Sequence, residues 1–127
     1  MVENRHNSEV KRLIPEFKQM ILYGKDDPET LKSAWRHYLD IKEKMWRSLP
    51  GNEAELNYVK RTIKIMDDGG LLKHTDESYA VCYGLRVDLG LFGTSGLLGN
   101  LREEEKKKVD TFICKMCDVL IRQDEAS

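Results

Sequence analysis

Tyr79-Ala-Val-Cys-Tyr-Gly-Leu-Arg-Val-Asp-Leu-Gly-Leu-Phe92 is the stretch on which the fold turns. Tyr79, Val81, Tyr83, Leu85, Val87, Leu89 and Leu91 alternate with their neighbours, which is the period of a half-buried strand. A helix that is apolar all round, buried at the centre of a bundle, spells the same letters. Thr75-Asp76-Glu77 immediately upstream decides between them, because a capping oxygen and two carboxylates complement the unpaired amides and positive dipole end of a first helical turn. The stretch is therefore predicted as helix. Three helices plus a β-hairpin around 79–92 is the competing arrangement, and Gly84 weakens either form.

Upstream, Val10, Leu13, Ile14, Phe17 and Ile21 recur at three- and four-residue steps from Ser8 to Gly24. Pro15 interrupts this run, so the helix either begins near Pro15 or kinks there. Asp27 as cap and Pro28 as first helical residue open a second helix, Pro28 to Leu49, with Leu31, Trp35, Tyr38, Leu39, Met45, Trp46 and Leu49 in one stripe. Its other side carries Arg36, Asp40, Glu43, Lys44 and Arg47 at spacings that pair opposite charges. Asn52 with Glu55 reads as a capping box for a third helix along Leu56, Val59, Ile63 and Met66. Asp67-Asp68-Gly69-Gly70 ends it, and chain termination explains those residues better than a cation site does. Downstream, Asn100 with Glu103 is a second capping-box pattern, leading into Val109, Phe112, Ile113, Met116 and Leu120 and a last helix to about Gln123.

Five helices with short connections predict an all-α fold, a compact single-domain bundle over residues 1–127, with 1–7 and 124–127 as frayed tails. The composition agrees. With 127 residues, 34% charged and 40% hydrophobic, the chain is long enough for one core and too patterned for disorder. Twenty-one basic against 22 acidic residues give a net charge of -1, unlike a strongly basic nucleic-acid coat. Met1-Val-Glu-Asn-Arg-His lacks an apolar signal segment, and Val2 stands where myristoylation needs glycine, so a cytoplasmic or nuclear protein is expected.

Cys114 and Cys117 form a C-x-x-C, but deep in a helix rather than at a helix start, which is the wrong setting for a reactive pair. Zinc needs four ligands, and Cys82 and His74 are the only plausible additions to Cys114 and Cys117. Buried cysteines acting as small hydrophobes account for the same letters, so no metal or cofactor is assigned. His6, His37 and His74 have no Ser or Cys partner at a motif spacing, and no catalytic constellation is legible.

The most unusual segment is Leu89–Leu101, thirteen uncharged residues with glycine at every third position from Gly90 to Gly99. No Lys-Ser or Lys-Thr follows it, so it is not a P-loop. Either Leu91, Phe92, Leu97 and Leu98 tuck into the core while the glycines permit a tight path, or the loop stays exposed as an apolar docking patch. Trp35 and Trp46 are the second candidate partner surface, although a tryptophan stripe also suits a core. Residues 1 to 65 hold thirteen basic and ten acidic side chains. In that basic half, Lys11, Arg12, Lys18, Lys25, Lys32 and Arg36 would be the residues to meet nucleic acid or an anionic membrane.

The expected function is a non-enzymatic protein–protein interaction or assembly module whose partner is another protein or a second copy of itself. In layout alone, the size, the compact helices and the modestly positive half resemble small viral matrix or nucleoprotein-associated domains. That likeness implies the alternative of a nucleic-acid or anionic-membrane surface binder. A small metal-binding or thiol-dependent protein centred on the cysteines is the third reading.

Overall fold

The computed structural model describes residues 4–47, 51, 53–74, 76–91 and 96–122. In chain order these form α1 (Asn4–Tyr23), α2 (Pro28–Arg47), α3 (Glu53–Asp67), β1 (Leu72–Lys73), α4 (Asp76–Asp88), α5 (Glu103–Leu120) and β2 (Ile121–Arg122). The fold is all-α. Its two short strands pair in parallel, Leu72 beside Ile121 and Lys73 beside Arg122, and tie the approach to α4 to the end of α5.

α2 is the central element, packed against α1, α3 and α5. Asp27 caps it, its Oδ1 accepting the Thr30 backbone N–H at 2.8 Å, and Pro28 follows as first residue. Leu31, Ala34, Trp35, Tyr38, Leu39 and Ile41 are all buried along it. The Trp35 ring meets Tyr38 edge-on at 6.0 Å, and Tyr38 lies 6.2 Å from Phe17 of α1. The Trp35 indole N–H donates to the Met116 carbonyl of α5, which gives its polar edge a partner inside the core.

The residues at 79–92 are helical as far as Asp88, so the hairpin does not form. The helix is not buried all round either. Val81, Cys82, Leu85 and Leu89 face inward at helical spacing, whereas Tyr79, Tyr83 and Val87 are exposed. α4 lies at the edge of the bundle on α5, which leaves its other side uncovered.

Two helix starts depart from the sequence pattern. α1 begins at Asn4, before the apolar period starts, and runs through Pro15. Pro15 and Lys11, whose carbonyl loses its helical donor to the proline, are both exposed residues. At α5, Arg102 and not Asn100 is the cap, and Glu105 rather than Glu103 reaches back, Oε1 accepting the Arg102 N–H at 3.0 Å. The cap at Asn52, the end of α2 beyond Arg47 and the tails at 1–3 and 123–127 lie outside the described residues.

Glycine closes two helices in the same manner. After α3, Gly69 at φ 79° donates to Met66 and Gly70 donates to Ile65. After α4, Gly90 at φ 84° donates to Val87 and Leu91 donates to Arg86. Both are helix endings that need a left-handed residue. The glycine-rich loop then folds back: Leu97 N–H donates to the Asp88 carbonyl at 2.7 Å, and a Cβ on Gly96 would collide with the Asp88 and Leu89 backbone.

Candidate functional site

The open side of α4 is the wall of a cleft of about 410 Å³ that it forms with α2 and α3. α2 supplies Tyr38, Leu39 and Lys42, and α3 supplies Ala54, Glu55, Tyr58 and Val59. α4 supplies Ala80, Val81, Gly84 and Asp88. Helical spacing explains the set, since 80, 84 and 88 on α4, like 54 and 58 on α3, lie one turn apart on a single side. The cleft stays open because small side chains, Ala54, Ala80 and Gly84, stand where larger ones would close it. A Cβ built on Gly84 meets nothing within 4 Å.

One end of the cleft is polar. Asp88 Oδ2 accepts the Tyr38 hydroxyl at 2.7 Å and pairs with Lys42 Nζ at 2.8 Å. Burial first, and the neighbouring Asp88 carboxylate second, hold the Tyr38 phenol well above its ordinary pKa, so it remains a neutral donor. Asp88 therefore fixes the end of α4 to α2 through its side chain and to the glycine-rich loop through its carbonyl. The cleft falls within the size range of binding pockets, about 300–1,000 Å³, and combines apolar walls with a few convergent polar groups.

Beside the cleft runs a second feature. Tyr79 and Tyr83 are 62% and 63% exposed and Val87 36%, at i, i+4 and i+8 along α4. Tyr79 also meets the His74 ring edge-on at 5.0 Å. Cleft and stripe occupy adjacent positions of one helix, 80, 84 and 88 beside 79, 83 and 87.

The described residues among those expected to meet a partner lie as follows. Leu98 is buried at 3% exposure, and Leu91 and Leu97 are half-buried against the core, so the described part of the glycine-rich loop packs inward. Phe92 lies outside the described residues, as does the Trp46 side chain. Trp35 is wholly buried and serves the core. The six basic residues do not gather on one surface. Lys11 and Arg12 are exposed on α1, Lys32 is exposed on α2, and Arg36 is engaged by Asp40 at 3.2 Å and by Asp67. Lys18 lies near Glu105, and Lys25 borders an open hollow with Lys107 and Lys108.

The cysteines separate into a pair and a single. Cys82 of α4 and Cys117 of α5 line one recess, while Cys114 is exposed and its Sγ accepts from Arg86 Nη2 at 3.4 Å. The sequence neighbours Cys114 and Cys117 are thus placed in different surroundings. Among the described residues no group of three or more His, Cys, Asp or Glu side chains is arranged to hold a metal ion. No described helix is long and apolar enough to cross a membrane.

Comparisons with family models, with curated proteins and with solved structures find no match to the chain.

Proposed function

We propose that the chain is a non-enzymatic helical interaction module that assembles through the open side of α4, with a second copy of the chain as partner. The observation that carries this reading is the exposed Tyr79–Tyr83–Val87 stripe lying beside a cleft lined by Ala54, Ala80 and Gly84. A two-fold axis past α4 sets the stripe of each copy against the cleft of the other, and such self-complementarity is what an isologous dimer requires. The tyrosines supply rigid, amphipathic contact area, and the Lys42–Asp88 pair at the end of the cleft offers polar partners for an incoming hydroxyl. At no more than about 150–250 Å² for each tyrosine, two per copy fall short of the area that stable specific interfaces bury. The association is accordingly weak and reversible.

A dilution series followed by backbone amide NMR tests it. Concentration-dependent shifts should appear at Ala54, Tyr58, Ala80, Tyr83, Gly84 and Val87 and be absent along α1. Shifts centred on α1, or none at any concentration, would remove the reading.

The anionic-surface alternative is supported by the hollow where Lys25, Lys107 and Lys108 converge. Asp26 and Asp27 share that hollow, Lys115 is paired with Asp26, and Lys108 sits 5.4 Å over the Tyr23 ring. These neighbours offset much of its field. Binding to RNA or anionic vesicles that weakens steeply with salt would favour this second reading, and an absent signal would eliminate it.

A further inference from the structure

The side of α4 that faces α5 carries a different chemistry, independent of the cleft. Cys82 and Arg86 stand one turn apart on α4, and α5 answers with Cys117, Cys114 and Asp110. Cys82 and Cys117 line a common recess. Arg86 reaches Cys114 Sγ through Nη2 at 3.4 Å and Asp110 Oδ1 through Nε at 3.5 Å, and it lines the same recess as Cys82 and Cys117. This recess of about 240 Å³ has both Cys82 and Cys117 in its wall, together with His74, Ser78 and Asp118. A small polar molecule can therefore reach the two sulfurs although Cys82 is itself buried. Thiols that merely fill a core need neither a cation at hand nor a route from solvent.

We propose that Cys82 and Cys117 are a peroxide-oxidisable pair, with Cys82 as the attacking sulfur and Cys117 as the resolving one. The Cys82 thiolate attacks one oxygen of hydrogen peroxide, the O–O bond breaks, and the departing hydroxide leaves as water once protonated. Cys82 is then a sulfenic acid. The Cys117 sulfur attacks the Cys82 sulfur, the S–O bond breaks, and a second water leaves with the Cys117 proton. One peroxide is reduced to two waters, two thiols are oxidised by two electrons, and a disulfide joins α4 to α5. The direction of attack follows from the surroundings in the recess: the neighbouring Cys117 and the Arg86 charge lower the Cys82 pKa, while the neighbouring Cys82 and burial raise that of Cys117.

Treating the full chain with hydrogen peroxide, then counting thiols and mapping linked peptides, tests the assignment on the unmodified sequence. Titratable thiols should fall from three to one. The intact mass should drop by two hydrogens, a Cys82–Cys117 peptide should appear, and dithiothreitol should reverse all of these changes. Cys114→Ser should leave the reaction intact. A Cys114–Cys117 link, oxygen added at Cys114 with the other two thiols still titratable, or no thiol loss would each overturn the proposal.

Discussion

Asp88 joins three parts of the molecule, and its removal should be felt accordingly. Asp88→Ala deprives the buried Tyr38 hydroxyl and the Lys42 ammonium of their shared acceptor. Losing the partner of a buried polar group costs about 1–3 kcal/mol, which urea denaturation should register as a lower midpoint with an unchanged slope. Two glycines should respond in opposite directions. Gly84→Ala adds a methyl in open space within a helix and should stabilise by about 1 kcal/mol, while Gly96→Ala drives a Cβ into the Asp88 and Leu89 backbone and should destabilise. Thermal melts of the two variants side by side measure both signs. The Gly96 requirement was half legible in the sequence. The glycine period marked a tight path, but which glycine meets backbone depends on how Leu97 folds back onto Asp88.

The helices themselves were readable because apolar residues at i, i+3 and i+4 leave few alternatives, and Asp27-Pro28 opens α2 as its letters indicate. Trp35 lies at the centre of that reading. Trp35→Ala removes the largest fully buried side chain together with its hydrogen bond to α5, and should cost about 3–5 kcal/mol in chemical denaturation. Helix starts also carry a pH dependence. The Thr30 N–H on Asp27 and the Arg102 N–H on Glu105 hold both carboxyls below their ordinary pKa. The unfolded chain thus takes up these protons first. The stability that the two carboxylates contribute is complete above the ordinary carboxylate range, about pH 4, and is lost as pH falls through their lower folded values. Asp27→Asn should flatten the acid side of a melting-temperature profile, and an unchanged profile would show that the cap carries no charge-dependent stability. The start of α5 was misplaced by two residues because Asn100 and Glu103 have the preferred chemistry for a capping box, whereas Arg102, which actually caps, does not. Nothing in the letters announced the two-residue parallel ribbon, since strands so short leave no period to read.

At the scale of the whole chain, one helix serves two purposes on two sides. α4 closes the core along Val81, Cys82, Leu85 and Leu89 and leaves Tyr79, Tyr83 and Val87 outside. Its nearly continuous apolar composition concealed this division, because a buried central helix and an edge helix with one exposed apolar side spell alike. The i, i+4, i+8 spacing of 79, 83 and 87 was the available signal, but it gains meaning only once α5 is known to cover the opposite side. The cleft was less accessible still, for it depends on how far α3 and α4 stand apart on α2, and Ala54, Ala80 and Gly84 are ordinary residues until that separation is seen. The glycine-rich loop stands out by composition, yet Leu98 is in the core, Gly90 closes α4, and Gly96 lies where the chain folds back on Asp88. Sedimentation equilibrium of the wild-type chain and of Tyr83→Glu across one concentration series is the most direct test of α4 as the binding surface. The wild type should rise from the mass of one chain toward that of two as concentration increases, while Tyr83→Glu stays at one. A wild type that remains a single chain throughout, or a variant that rises with it, would contradict the account.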